Sequence, residues 1–372
     1  MCNKKRIFTA CMLTVCILAT GCAAKGNVTK NESVAMNSKN PTDVVERADE
    51  NRITLTADIQ KLESGLSAVR FEGNDNFEDF LKAGGASSDA DVISFLSSKL
   101  LTDIDMDTSK IFGCSTLAVE DENGNHLFGR NFDWDSCDAL IVVSKPDKGY
   151  ASVSTVNTDF ITANAGLTAG FALKKDEILT LASLYAPLDG MNESGFGISV
   201  NMISDSANID QNTEKPDLTT TTAVRMLLNQ AGSVEEALKL LKQYDLHASM
   251  GMMIHFAMTD TTGKSVVVEY INNQMSVVET PIVTNFYLTE GEKYGIGTRQ
   301  SHERYETLVQ TFEQNETMNR SQVRDALDSV SKHNFNEYES TEWSAVFRLE
   351  EGAVDYYHRE DYSKAYTVYI AD

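Results

Sequence analysis

Phe112-Gly113-Cys114-Ser115-Thr116, followed by Gly129-Arg130-Asn131-Phe132-Asp133-Trp134, is the stretch that decides the fold. Between its halves lies Asp121-Glu122-Asn123-Gly124-Asn125, a polar run built on Asn-Gly, the pair that favours tight hairpin turns. The flanking runs 115–119 and 126–132 have the composition of strands, so the whole reads as strand, turn, strand. A turn centred near Asn123 sets Cys114 opposite residues close to Phe132. Arg130 and Asp133 then come within reach of the thiol, and a one-residue slip of register would change which of them faces it. A cysteine beside a fixed cation and a carboxylate has the ingredients of an activated nucleophile. Singly the residues are ordinary: a lone cysteine at a strand start is usually a buried apolar residue, and an Arg with an Asp near a turn is usually a surface ion pair.

Downstream, 140–144, 150–156 and 195–202 suit strands, and 220–230 and 233–244 suit helices. The second helix opens on Ser233-Val234-Glu235-Glu236, a capping-box pattern. A strand meander follows at 255–259, 265–271 and 276–280, joined by Thr261-Thr262-Gly263 and Asn272-Asn273. Helices return at 301–314 and 321–331, and the chain closes on a hairpin around Glu351-Gly352 and a strand at 365–370. Upstream, from 53 to 101, apolar residues recur at helical spacing: Leu62, Leu66 and Val69, then Phe77, Phe80 and Leu81, then Val92, Phe95, Leu96 and Leu100. Sheets separated by helix pairs, with antiparallel connections, indicate a layered α+β domain. There is no internal repeat and no Gly-rich phosphate loop.

In combination the Cys114 stretch resembles the N-terminal-nucleophile (Ntn) amide hydrolases: the choloylglycine (bile salt) hydrolases, penicillin V acylases, isopenicillin N acyltransferases and the acid ceramidase group. In that family a cysteine is followed, through strand, turn and strand, by Gly-Arg-Asn-x-Asp, and Cys114, Arg130 and Asp133 stand at the family spacing of sixteen and nineteen. The resemblance runs over about 113–372. It includes Asp189-Gly190-Met191-Asn192-Glu193-Ser194-Gly195, similar to the family's Asn-Glu-x-Gly segment, and Val283-Thr284-Asn285, similar to its Thr-Asn. It also includes Ser301-His302-Glu303-Arg304-Tyr305, similar to its Ser-x-x-Arg element.

The resemblance implies a four-layer αββα sandwich with two antiparallel sheets, and it implies roles. Cys114 would be the nucleophile, freed by self-cleavage after Gly113, with its own α-amine as general base. Asp133 would hold that amine, Arg130 would stabilise the thiolate and Arg304 would close the charge network. Asn285 would donate to the oxyanion, with Asn201 as second candidate. Counted from Gly195, Asn201 falls one residue short of the family's oxyanion asparagine, so it is either that donor, given a bulge, or a strand-end polar residue. The bland alternative for Asn285 is a turn residue capping the strand end. The reaction implied is hydrolysis of a small, linear, non-peptide acyl amide through a thioester. Acyl transfer to an amine is the runner-up, and a lipid-anchored binding protein without activity is the rival class. The binding protein would have no need of the Cys114, Arg130 and Asp133 trio.

The N-terminus has its own chemistry. Lys4, Lys5 and Arg6 precede an apolar stretch from 7 to about 19, too short for a comfortable bilayer span, so 1–21 reads as a signal peptide. Leu18-Ala19-Thr20-Gly21-Cys22 resembles a bacterial lipobox, with Leu18 one place early, which makes Cys22 the expected lipidation site. Ordinary cleavage near Ala23-Ala24 with free secretion is the other outcome. The polar run 22–52 suits a tether on the extracytoplasmic face of a membrane, 53–113 a helical pro-segment, and 114–372 the hydrolase domain. A leader of this length either shields the site or stays bound as a subunit.

Basic residues number 32 against 55 acidic, a net charge of -23, and loss of 1–21 takes it to -26, which argues against nucleic acid as a partner. Of six cysteines only Cys22, Cys114 and Cys137 survive that loss, so there is no disulfide framework. A Cys114–Cys137 bridge would block the chemistry, and Cys137 reads as structural. His126, His247, His255, His302, His333 and His358 share no metal-ligand spacing, so no metal or other cofactor is expected. A distant histidine partner for Cys114 stays open on sequence grounds, though Arg130 and Asp133 explain activation without one.

Overall fold

The computed structural model describes residues 52–100, 103–105, 113–164, 175–334 and 339–372. The expected signal peptide, Cys22 and nearly all of the expected tether lie outside the described residues.

The leader does not form the helical run that its apolar spacing suggests. Gln60–Glu63 (β1) and Leu66–Gly73 (β2) make a hairpin, and only then come helices Phe77–Lys82 (α1) and Asp89–Leu100 (α2), with a short strand Asp103–Asp105 (β3). Gly65 turns the hairpin at φ 87, a left-handed conformation that would interrupt a helix through 62–69. Spacings of three and four between apolar residues also arise by chance in a hairpin, and here the tertiary pairing decides. β2 lies parallel to Ala139–Pro146 (β6), paired from Leu66↔Ala139 to Gly73↔Pro146. The leader is thus an outer part of the main sheet.

The diagnostic stretch folds as its spacing implies. Gly113–Glu120 (β4) and His126–Trp134 (β5) pair antiparallel, with Cys114 opposite Phe132 and Gly113 opposite Asp133. Ser152–Asn157 (β7), Thr162–Asn164 (β8), helix Lys175–Ser183 (α3), Asp189–Asn192 (β9) and Gly197–Met202 (β10) follow. Then come Asp217–Thr219 (β11), Thr220–Gln230 (α4), Val234–Leu241 (α5) and Asp245–His247 (β12), and the meander Ile254–Thr259 (β13), Ser265–Ile271 (β14), Gln274–Glu279 (β15). The chain continues through Ile282–Val283 (β16), Arg299–Gln314 (α6), Arg320–Asp328 (α7), Ser340–Arg348 (β17), Ala353–His358 (β18) and Tyr366–Tyr369 (β19).

The largest sheet has nine strands in the order β1-β2-β6-β7-β9-β10-β13-β14-β15 and the next has six, β16-β4-β5-β17-β18-β19, while β3-β8 and β11-β12 form two-stranded pairs. Within the two large sheets all pairings are antiparallel except β2 with β6. Helix α4 covers the larger sheet through β9 and β10, and α6 and α7 cover the smaller one through β4, β5, β16 and β17. This is the αββα sandwich, with a mixed edge where the leader joins.

The sheets meet in a buried, mainly apolar core in which Phe132 stacks on Trp343 at 3.9 Å between ring centroids. A second cluster, with Leu117, Leu127, Leu308, Val323 and Leu327, fills the space between the six-stranded sheet and its helices. The expected capping box at Ser233 is half formed. Ser233 accepts from Glu236 N–H, but Glu236 Oε2 accepts from Gly232 N–H at 2.8 Å. The complete boxes are at Thr219 and Asn319.

Candidate active site

Strand alternation divides the site into two faces. Cys114, Thr116, Arg130 and Phe132 point between the sheets, whereas Gly113, Ser115, Asn131 and Asp133 face the helices. Arg130 is therefore the cation on the thiol's side. Its Nε donates to Asp189 Oδ2 at 3.2 Å, Nη1 to Asn201 Oδ1 at 2.7 Å and Nη2 to the Val200 carbonyl at 2.9 Å. Cys114 Sγ donates to the same carbonyl at 3.7 Å. Cys114, Arg130 and Asp189 are all fully buried. Burial pushes the thiol above its ordinary range, and the Arg130 charge acts in the opposite sense. Burial also works against the guanidinium, but Cys114 and Asp189 outweigh it and hold Arg130 above its usual value.

Asp133 sits on the other face, against the Gly113–Cys114 link rather than the sulfur. Its Oδ1 accepts from Thr341 Oγ1 at 2.7 Å. Its Oδ2 is buried and accepts no hydrogen bond from the described residues. Two cations stand off from Oδ2, Arg304 Nη1 at 3.5 Å and Lys332 Nζ at 3.7 Å. A desolvated carboxylate oxygen without a donor is costly, and it is aimed at the end of β4.

Asn285, just after β16, reaches the same backbone. Its Oδ1 accepts from Cys114 N–H at 2.7 Å and from Arg304 Nη2 at 2.8 Å, and its Nδ2 donates to the Met202 carbonyl at 2.7 Å. Both partners of Oδ1 are donors, which fixes the amide orientation. An amide has two N–H groups, and Met202 takes one. Arg304, on α6, donates through Nη1 to the Cys114 carbonyl at 2.7 Å and to Ser115 Oγ at 2.5 Å. Thus Cys114 is gripped at its N–H by Asn285 and at its carbonyl by Arg304.

Asn201 lies beside Arg130. Its Oδ1 accepts from Arg130, and its Nδ2 donates to Thr116 Oγ1 at 2.9 Å. There is no bulge in β10 to turn it: Asn201 pairs with His255 in unbroken register. There it orients the guanidinium. Cys137 is a buried free thiol, and so is Cys114.

Asp189 and Lys332 belong to this site without having been singled out by spacing. Asp189 opens the segment similar to the family's Asn-Glu-x-Gly, but nothing local marks it as the buried counter-ion of Arg130. Lys332 follows α7 in a stretch with no periodicity, and only tertiary packing brings it here.

The model of the family described as linear amide C–N hydrolases, choloylglycine hydrolase family, matches residues 114–332, beginning at Cys114 itself. The bile salt hydrolase/transferase of Clostridium perfringens (strain 13 / Type A) is 28% identical over 177 residues, 45% of this chain and 51% of that protein. The matched region thus spans about half the length of that curated relative. Two variants of the conjugated bile acid hydrolase from Clostridium perfringens are similar in structure, with TM-scores of 0.52 and 0.53 at 18% and 17% identity. They cover 69% of this chain and 92% and 93% of their own. At such identity this likeness speaks to the fold alone.

Proposed function

The chain belongs to the linear amide C–N hydrolases of the choloylglycine hydrolase family, and from that premise we propose that it is a self-processed cysteine amidase acting on a small acyl amide through a thioester. The observation that carries this reading is the buried Asp133 Oδ2 beside the Gly113–Cys114 link, which faces two cations but accepts no hydrogen bond from the described residues. In the uncut chain the thiol donates to the Val200 carbonyl, and among the described residues no base accepts from it. Cleavage after Gly113 supplies one: the freed α-amine, with an ordinary pKa of about 7.7–8.0, beside a carboxylate oxygen that lacks a donor.

The steps follow. The amine takes the Cys114 proton and sulfur attacks the acyl carbonyl. Arg130 steadies the sulfur's charge, and the second N–H of Asn285 Nδ2 donates to the oxyanion. The C–N bond breaks, the ammonium returns its proton to the departing amine, and water, deprotonated by the α-amine, cleaves the thioester. Asn201 acts through Arg130. Candidate substrates are bile salts, phenoxyacyl penicillins, N-acyl amino acids and N-acylated amines. Acyl transfer to an amine is a second reading, favoured by the curated relative's being a hydrolase/transferase.

Asn285→Ala tests the site. On cut protein, with any amide from this panel that the wild type turns over, kcat should fall about 10²–10³-fold with KM little changed. A raised KM at unchanged kcat would make Asn285 a substrate contact.

The anchor belongs to the same proposal. Cys22 tethers the chain to the outer face of a bacterial membrane, with the polar run behind it as spacer. Wild type should sediment with membranes, and Cys22→Ala should appear in the medium or stall in processing. A wild type that is soluble and begins near Ala24 would overturn this.

A further inference from the structure

We propose that Lys332 is a positioning residue that keeps the α-amine of Cys114 neutral and therefore basic. This rests on the reading of Cys114 as an N-terminal nucleophile. That reading contains a difficulty: the carboxylate that holds the amine also stabilises its proton. An ammonium clamped to Asp133 would be a poor base at neutral pH. Lys332 answers the difficulty by its placement.

The residue is 5% exposed. Its own N–H donates to Thr341 Oγ1 at 2.8 Å, and the Lys332 carbonyl accepts from Thr341 N–H at 3.1 Å. Thr341 Oγ1 in turn donates to Asp133 Oδ1. The backbone of Lys332 thus orients one oxygen of Asp133, while its Nζ stands 3.7 Å from the other. The same ammonium lies at the cleavage link: a Cβ placed on Gly113 would meet Nζ at 2.6 Å, Asp133 Oδ2 at 3.1 Å and Glu339 Oε2 at 3.3 Å. Glycine before Cys114 leaves room for this cation, and breaking the Gly113–Cys114 bond leaves the cation beside the new amine.

The charged groups around that amine come from every side. Asp133 and Arg130 lie on β5, Arg304 on α6, and Lys332 after α7. Glu339, paired with Lys332 Nζ, precedes β17. Glu360, paired with His333 at 2.5 Å, follows β18 and adds a more distant negative charge near Asp133. Lys332 and Arg304 are the cations that share Asp133 with the amine, and each opposes its protonation. Glu339 sets how much of the Lys332 charge is felt, so variants at the two positions should act in opposite directions.

The test uses the cut, two-fragment protein and needs no substrate. Alkylation of Cys114 by iodoacetamide is followed against pH by the intact mass of the catalytic chain. The midpoint reports the coupled thiol and amine, and loss of a neighbouring cation raises both. Lys332→Met should move the midpoint up by about half to one pH unit, Glu339→Gln should move it down by a similar amount, and Lys332→Arg should leave it near wild type. A residue that merely supports the fold would lower reactivity without moving the midpoint. A folded, cut Lys332→Met with an unmoved midpoint overturns the proposal. Should Lys332→Met fail to fold, a Glu339→Gln midpoint that stays put or rises overturns it equally. Failure of the underlying reading looks different: the wild type would then show no fragment beginning at Cys114.

Discussion

Cys114→Ala is expected to remain one uncut chain with no amide hydrolysis above background. In the uncut protein the Cys114 nitrogen is an amide held by Asn285, and it cannot act as a base. The thiol itself must attack the Gly113 carbonyl, forming an S–C bond as the C–N bond breaks and the thiol proton passes to the freed nitrogen. Water then releases the leader as a carboxylate and regenerates the thiol. Alanine can do none of this. Loss of a covalent nucleophile costs on the order of 10⁶ in kcat. The fold should survive, because Cys114 is wholly buried and one sulfur leaves a small void worth about 1 kcal/mol. Cys114→Ser should cut slowly, a hydroxyl being the weaker nucleophile at neutral pH. Denaturing electrophoresis beside an activity assay reads both outcomes. An uncut but active Cys114→Ala protein would remove the cysteine from the mechanism.

A catalytic chain beginning at Cys114 and made without its leader is expected not to fold. β2 is the partner of β6 over its whole length, so its absence bares a core strand of the nine-stranded sheet. Leu66, Val69, Phe77, Phe80, Val92 and Leu96 of the leader are buried. At about 1.5–3 kcal/mol each they contribute roughly 9–18 kcal/mol, as much as a whole domain's net stability of about 5–15 kcal/mol. Phe77 and Phe80 pack on Tyr185 at 5.4 and 5.5 Å between ring centroids.

The leader also carries a charge that the body uses. Arg225 is fully buried, and burial lowers its pKa to about 10. It donates to the Leu184 carbonyl and to Ser152 and Ser154, and reaches a carboxylate through Asn229, whose Nδ2 donates to Asp75 Oδ2 at 3.1 Å. Without the leader this guanidinium loses Asp75, the anion that offsets its burial. After cleavage the two fragments should therefore co-elute in gel filtration and part only in denaturant. A leaderless 114–372 chain that melts cooperatively and turns over substrate would contradict this.

These expectations show where sequence and fold agree and where they part. The Asn-Gly turn and two apolar runs were enough to bring Cys114 opposite residues close to Phe132, because a hairpin is a local structure, and the fold supplies the register. The meander after 254 and helices α4 and α6 were legible for the same reason. The leader was misread because Leu62, Leu66 and Val69 satisfy helical spacing by accident, and the parallel partner that makes β2 a strand lies some seventy residues away. The face of Asn201 turned on a single residue of register. Asp189 and Lys332 were invisible as site residues, since each meets its partner only through tertiary packing.

The central claim is the cut that creates the amine. N-terminal sequencing and intact mass of the purified, active wild-type protein test it most directly. Two fragments are expected, one of them residues 114–372 with Cys114 at its N-terminus. A fully active protein that is still continuous through Gly113 and Cys114 would contradict it.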